Sequence, residues 1–266
     1  MMAIRQRRWM QLGALWLGLL WVHSTAAALT PVRRLFEPTD LELEDPGVAE
    51  LDLQFGLVRG QNAHRIVVPD TEIDLGLTKN IELDLDGQFA VSGPDSGDFV
   101  FDRIAPDNLW PSLKLGLLDF ADEAENIAWA FGMQLGPKLP LAQGARGVGF
   151  EGLLLLGCRN HHTYLILNLG GRRDPSYGGN RSGPSGPEMG LDVDHPLDAT
   201  EHWALIAAIG AVTYVSPDPN QLTTTAGIAY RPSESLEFSV VALYGWLSGG
   251  DQYGILFGIS PKFQLW

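Results

Sequence analysis

Apolar and polar positions alternate along most of the chain from Val48 to Trp266, and no stretch there sustains the i, i+3, i+4, i+7 spacing of an amphipathic helix. A period of two belongs to strands, whose successive side chains point to opposite faces. Twelve strands are predicted: Ala49–Val58, Thr71–Leu77, Ile81–Val91, Ser112–Leu118, Ile127–Leu135, Gly149–Gly157, Thr163–Gly170, Glu188–Asp194, His202–Tyr214, Leu222–Arg231, Leu236–Trp246 and Tyr253–Trp266. Their connections alternate in length. Thr78–Asn80, Cys158–His162 and Pro232–Ser235 are short, whereas Ser92–Pro111, Pro137–Val148 and Gly171–Pro187 are long and rich in Gly and Pro. A secreted β-sandwich also has alternating strands, but it does not predict short turns at one end and long loops at the other. The pattern therefore predicts an all-β chain with a single transmembrane, antiparallel, up-and-down β-barrel over residues 48–266.

Splitting each strand by face sharpens the picture. In the last strand Tyr253, Ile255, Phe257, Ile259, Pro261, Phe263 and Leu265 share one face, against Gly254, Gly258, Ser260, Lys262 and Gln264. The first set suits lipid. Over the first three strands Leu51, Leu53, Phe55, Ile73, Leu75, Leu77, Ile81, Leu83, Leu85 and Phe89 face outward, while Glu50, Asp52, Glu72, Asp74, Glu82, Asp84 and Asp86 face inward. If Leu77 pairs with Ile81, Asp74 stands opposite Asp84 and Glu72 opposite Asp86. Like charges directly opposed are destabilising. The wall must hold cations, find a basic partner such as Lys114, or shift its protonation. A water-filled lumen that solvates these acids is the preferred expectation over a dedicated metal site.

The amino terminus reads differently. Arg5, Arg7 and Arg8 precede the apolar run Trp9–Val22, and Ala26 and Ala28 form a small-x-small site, the pattern of a secretory signal over residues 1–28. A membrane-spanning helix needs about 20 apolar residues. Residues 29–47 are then expected as a periplasmic segment, and the outer membrane as the destination. Removing those arginines from the 18 basic residues leaves 15 against 32 acidic ones, a balance of −17, which excludes a nucleic-acid partner on electrostatic grounds. Cys158 is the one cysteine, so no intrachain disulfide is available.

The search for chemistry yields nothing catalytic. His161 and His162 lie near Cys158 in a predicted turn, but no further ligand follows at metal-binding spacing. Twelve-stranded outer-membrane phospholipases carry His-x-Ser on a strand; His64, His195 and His202 lack Ser two positions on. No G-x-S-x-G, Walker or dinucleotide fingerprint is present. Arg172, Arg173 and Arg181 sit in a stretch expected as a surface loop. No enzyme activity, cofactor or metal is expected.

Thr71–Phe89 and Ala226–Trp246 resemble the meta-pathway of phenol degradation family of barrel proteins. The likeness rests on Glu72, Gly76, Leu77, Thr78 and Glu82 in the first hairpin, and on Tyr230, Arg231 and Pro232 before a late turn. The resemblance implies a small outer-membrane barrel associated with passage of hydrophobic or aromatic compounds, and it supplies no catalytic residues. Together the features point to a channel or transporter for small molecules, its acidic wall lined by the seven inward acids with Lys114 and favouring cations or zwitterions. A structural or adhesive barrel is the alternative, and an outer-membrane lipid hydrolase a weaker one. The expected partners are membrane lipid, a small-molecule substrate and, through the carboxyl-terminal strand, the barrel-assembly machinery. Trp266 falls out of phase with the outward set. Either a bulge near Pro261 shifts the register, or the indole caps the rim.

Overall fold

Twelve antiparallel strands close on themselves in the computed structural model, each hydrogen-bonded to its neighbours in sequence and the last to the first. The structure describes residues 43–266 apart from 61–62, 95–102, 123–126, 142–145, 177–182 and 216–218, with side chains described except at 63–65, 88–94, 103–108 and 122. The predicted signal, most of the 29–47 segment, Arg181 and the outward assignment of Phe89 lie outside these. The strands are β1 (Val48–Arg59), β2 (Ala63–Thr78), β3 (Ile81–Pro94), β4 (Arg103–Asp122), β5 (Ile127–Lys138), β6 (Gly149–Asn160), β7 (Thr163–Arg173), β8 (Ser185–Pro196), β9 (Trp203–Val212), β10 (Gln221–Ser233), β11 (Leu236–Gly245) and β12 (Tyr253–Gln264). Closure leaves no unpaired sheet edge.

Burial alternates along the strands. In β1 Val48, Glu50, Asp52 and Gln54 are buried, while Leu51, Leu53 and Phe55 are partly or fully exposed. The exposed rows include Leu113, Leu154, Leu169, Leu191, Ile209, Val240 and Phe257, which make the outer surface apolar. Aromatic side chains gather toward the strand ends. Trp203 and Tyr230 stack at 4.6 Å beside the short turns, and Tyr244 meets Trp246 edge-on at 5.0 Å near the opposite end.

The connection predicted over Ser92–Pro111 is largely strand. β2, β3 and β4 run 16, 14 and 20 residues. Prolines hid this extension. Pro69 cannot donate to a ladder, and it falls where the β2–β3 register shifts between Val67 and Asp70; Pro106 pairs with Phe89 beside the shift between Gly87 and Phe89. The predicted loop at Gly171 also begins later, since β7 continues through Arg173 and β8 starts at Ser185.

At the short-turn end the chain enters the barrel mouth. Val48 N donates to Asp45 O at 2.9 Å, Gly47 N to Gly76 O at 2.9 Å, and Leu265 N to Gly47 O at 2.7 Å. Gly76 faces inward, and a Cβ there would lie 2.2 Å from Asp45 O, so only hydrogen leaves room for this segment. Gly47 has φ +84°, and a Cβ there would lie 2.8 Å from Trp266 Nε1. Trp266 itself is 68% exposed. No register shift occurs in β12 against either neighbour. The bulge near Pro261 is therefore absent, and Trp266 lies on the rim against the Gly47 turn.

Candidate functional site

The β2–β3 hairpin builds the acidic wall. Thr78, rather than Leu77, pairs with Ile81, yet a register shift between Gly76 and Thr78 restores the expected pairs Asp74 with Asp84 and Glu72 with Asp86. On the other flank Glu50 stands opposite Asp74 and Asp52 opposite Glu72. β4 supplies the facing residues, with Lys114 beside Glu82, Ser112 beside Asp84 and Trp110 beside Asp86.

Five of the seven acids, Glu50, Asp52, Asp74, Glu82 and Asp84, are packed rather than solvated, while Glu72 and Asp86 are half-buried. Glu50, Asp52, Glu82 and Asp84 are at most 1% exposed, which leaves no bulk water around them. Burying a carboxylate is costly unless it is paired and hydrogen-bonded. Lys114 Nζ lies 3.0 Å from Glu82 Oε1. Lys262 Nζ lies 2.8 Å from Glu44 Oε1 and 3.3 Å from Glu50 Oε2, all three side chains fully buried. The Glu44 N–H donates to Glu82 Oε2, so the entering segment is tied into the same network. Gln134 Nε2 donates to Asp84 Oδ2 at 2.6 Å and to Ser112 Oγ at 2.8 Å. Asp74 is 5% exposed, and its Oδ1 has no hydrogen-bond partner among the described residues.

Two further charge networks were not foreseen. Near the long-loop end Lys138 pairs with Glu151 and, at 3.4 Å, with Asp174; Arg172 reaches Asp174 and Glu188, each at 3.3 Å. Arg172 thus belongs to the interior and not to a surface loop. Lys138 also lies 5.7 Å from the centroid of Trp110. On the opposite wall Arg231 Nε lies 2.8 Å from Glu237 Oε2, and its other arm holds Asp194. Beside the Arg231 network the interior turns apolar, with Ala204, Ile206, Ala229 and Val241 packed together from β9, β10 and β11. The inward parity of Lys262 was readable, but its partner depends on β1 meeting β12, where Glu50 and Lys262 are paired.

The histidines do not converge with Cys158 into a ligand set. His161 Nδ1 contacts Asn160 Oδ1 at 2.6 Å, and His162 Nδ1 contacts Glu201 Oε1 at 3.2 Å.

No family model and no curated protein matches the sequence. Among solved structures the chain is similar to the COG4313 outer membrane channel from Pseudomonas putida F1, with TM-score 0.61 and 11% identity over 86% of this chain and 100% of that one. The fold is that of an outer-membrane β-barrel. Weaker likenesses are to the loop L8 deletion mutant of OmpT, an outer membrane protein of Vibrio cholerae (TM-score 0.45, 8% identity, 81% of this chain and 98% of that one), and to the CymD monoaromatic hydrocarbon channel (TM-score 0.40, 8% identity, 83% and 89%). Among the described residues the outer rows are apolar, and the charged networks lie on the inner rows.

Proposed function

We propose that the protein is an outer-membrane channel for passive passage of small cations or zwitterions along its acidic wall. The observation that carries this reading is the continuous inward row of Glu50, Asp52, Glu72, Asp74, Glu82, Asp84 and Asp86 on three adjacent strands, with few basic groups among them. Fixed carboxylates in a low-dielectric interior raise the local concentration of cations and repel anions. The packing around them makes the route narrow, so the expected conductance is small. The amino-terminal arginines and apolar run support export, and the β12 strand with its terminal aromatics supports insertion by the barrel-assembly machinery. The likeness in fold to the COG4313 channel fits the same reading.

The resemblance of Thr71–Phe89 to the phenol-degradation family supports a hydrophobic or aromatic permeant, and the apolar inner patch on β9–β11 offers such a compound a surface. A non-transporting barrel is the second reading, favoured by the burial of Glu50, Asp52, Asp74, Glu82 and Asp84 and by the segment Leu43–Gly47 at the short-turn end. Planar-bilayer recording of the refolded barrel, paired with uptake of cations, zwitterions and aromatic compounds into proteoliposomes, separates them. Conductance or uptake supports the channel. Neither conductance nor uptake of any of these solutes sinks it.

A further inference from the structure

We infer that the acidic wall contains a calcium site centred on Asp74. Ligand oxygens of Asp52, Glu72 and Asp74 all lie within 4.8 Å of one another, and so do those of Asp74, Glu82 and Asp84. Asp74 belongs to both trios. The neighbouring acids have partners that account for their burial: Lys114 and the Glu44 N–H serve Glu82, and Gln134 and Ser112 serve Asp84. Asp74 is buried to 5% exposure, its Oδ1 accepts no hydrogen bond from the described residues, and it stands opposite Asp84 on one side and Glu50 on the other. A buried carboxylate among carboxylates is the arrangement that a cation relieves.

The donor set selects the cation. All the ligands are carboxylate oxygens, which suit hard cations, and the absence of His and Cys from the set disfavours zinc. Ca²⁺ takes six to eight oxygen ligands in flexible geometry, whereas Mg²⁺ demands shorter bonds and a near-ideal octahedron. Calcium also tolerates an irregular cage drawn from β1, β2 and β3. The ion would tie these strands together and cancel part of the wall's charge.

The test uses the whole mature barrel refolded in detergent micelles and stripped with a chelator. Calcium is titrated by calorimetry, and Tb³⁺ is titrated by luminescence sensitised through buried Trp110, which pairs with Asp86. The expected result is one saturable calcium site, with bound Tb³⁺ displaced by Ca²⁺ and at least tenfold less effectively by Mg²⁺. Asp74→Asn and Asp52→Asn should each weaken calcium binding by about tenfold or more. Glu234→Gln, in the exposed turn between β10 and β11, should leave it unchanged. A wild-type barrel that is folded by heat-modifiability on a gel yet shows no saturable calcium binding overturns the site, as does unchanged affinity in either aspartate variant. If Asp74→Asn does not fold, the wild-type and Asp52→Asn titrations decide the question. Binding is read without permeation, so a barrel that holds calcium but passes nothing keeps this site and loses the channel reading.

Discussion

Lys262 is the residue on which the interior charge balance turns. Its ammonium is fully buried between Glu44 and Glu50. Lys262→Met leaves both carboxylates buried without it, and losing one partner of such a set costs roughly 3–5 kcal/mol. Urea unfolding of the lipid-reconstituted barrel checks this, and an unchanged midpoint would show that the acids are compensated elsewhere. Asp198 offers a second residue-scale test, in the turn between β8 and β9. Its carboxylate accepts from Thr200 N at 2.8 Å, His202 N at 3.3 Å and Trp203 N at 2.8 Å. These bonds and the Thr200 hydroxyl lower its pKa from 3.8 to about 2, the hydroxyl contributing most. Since the folded value is depressed, the stabilisation is complete above about 3.8 and lost as pH falls through about 2. Amide exchange at Thr200 and Trp203 should therefore stay protected at pH 5 and rise between those values. Asp198→Ala should remove the protection at every pH. The carboxylate is solvent-exposed, so the effect stays local to the turn.

At the scale of the strand, alternation carries the prediction. Phe257 lies midway along β12, half exposed on the outer face and paired with Phe55 and Val240. Phe257→Lys should cost about 2–4 kcal/mol in liposomes, the penalty for a lysine near the bilayer midplane. A change near zero would place that row out of lipid. Alternation also made the facing of Glu50, Asp52, Glu72, Asp74, Glu82, Asp84 and Asp86 legible, because the acids hold one parity for whole strands. Strand ends were less legible. Pro69 and Pro106 read as breaks, although a register shift lets the chain pass each of them while the ladder resumes. Arg172 was misplaced for the same reason, since the glycines and prolines after it suggested that a loop had already begun. The Asp74–Asp84 pairing was legible despite a wrong turn pair, because the shift at Gly76 and Thr78 restored the register.

For the whole molecule, closure is what the local pattern does not contain. Glu50 meets Lys262 across the β1–β12 seam, 212 positions apart in number, and Glu44 meets Lys262 at a separation of 218. No short-range spacing encodes either contact, so Lys262 joined the acidic wall only with the fold, whereas Lys114, which pairs with Glu82, was legible from the strand pattern. The segment Leu43–Gly47 follows the same logic, because inward Gly76 is legible as a glycine but not as the space the chain returns to fill. Gly76→Val should expel this segment, exposing the Asp45 region to protease and raising whatever conductance the barrel has. Unchanged cleavage and conductance would mean that the segment does not limit the mouth. Net charge belongs to this scale too: among the described residues Glu50, Asp52, Asp74, Glu82 and Asp84 are buried inside, while the outer rows are apolar.

Passage of cations along the acidic wall can be read from the reversal potential of the refolded barrel in a planar bilayer under a salt gradient. The wild type should prefer cations, and Asp74→Asn combined with Asp84→Asn and Asp86→Asn should bring the reversal potential toward zero. A conducting barrel whose selectivity is the same with and without those three carboxylates would mean that they do not line the route.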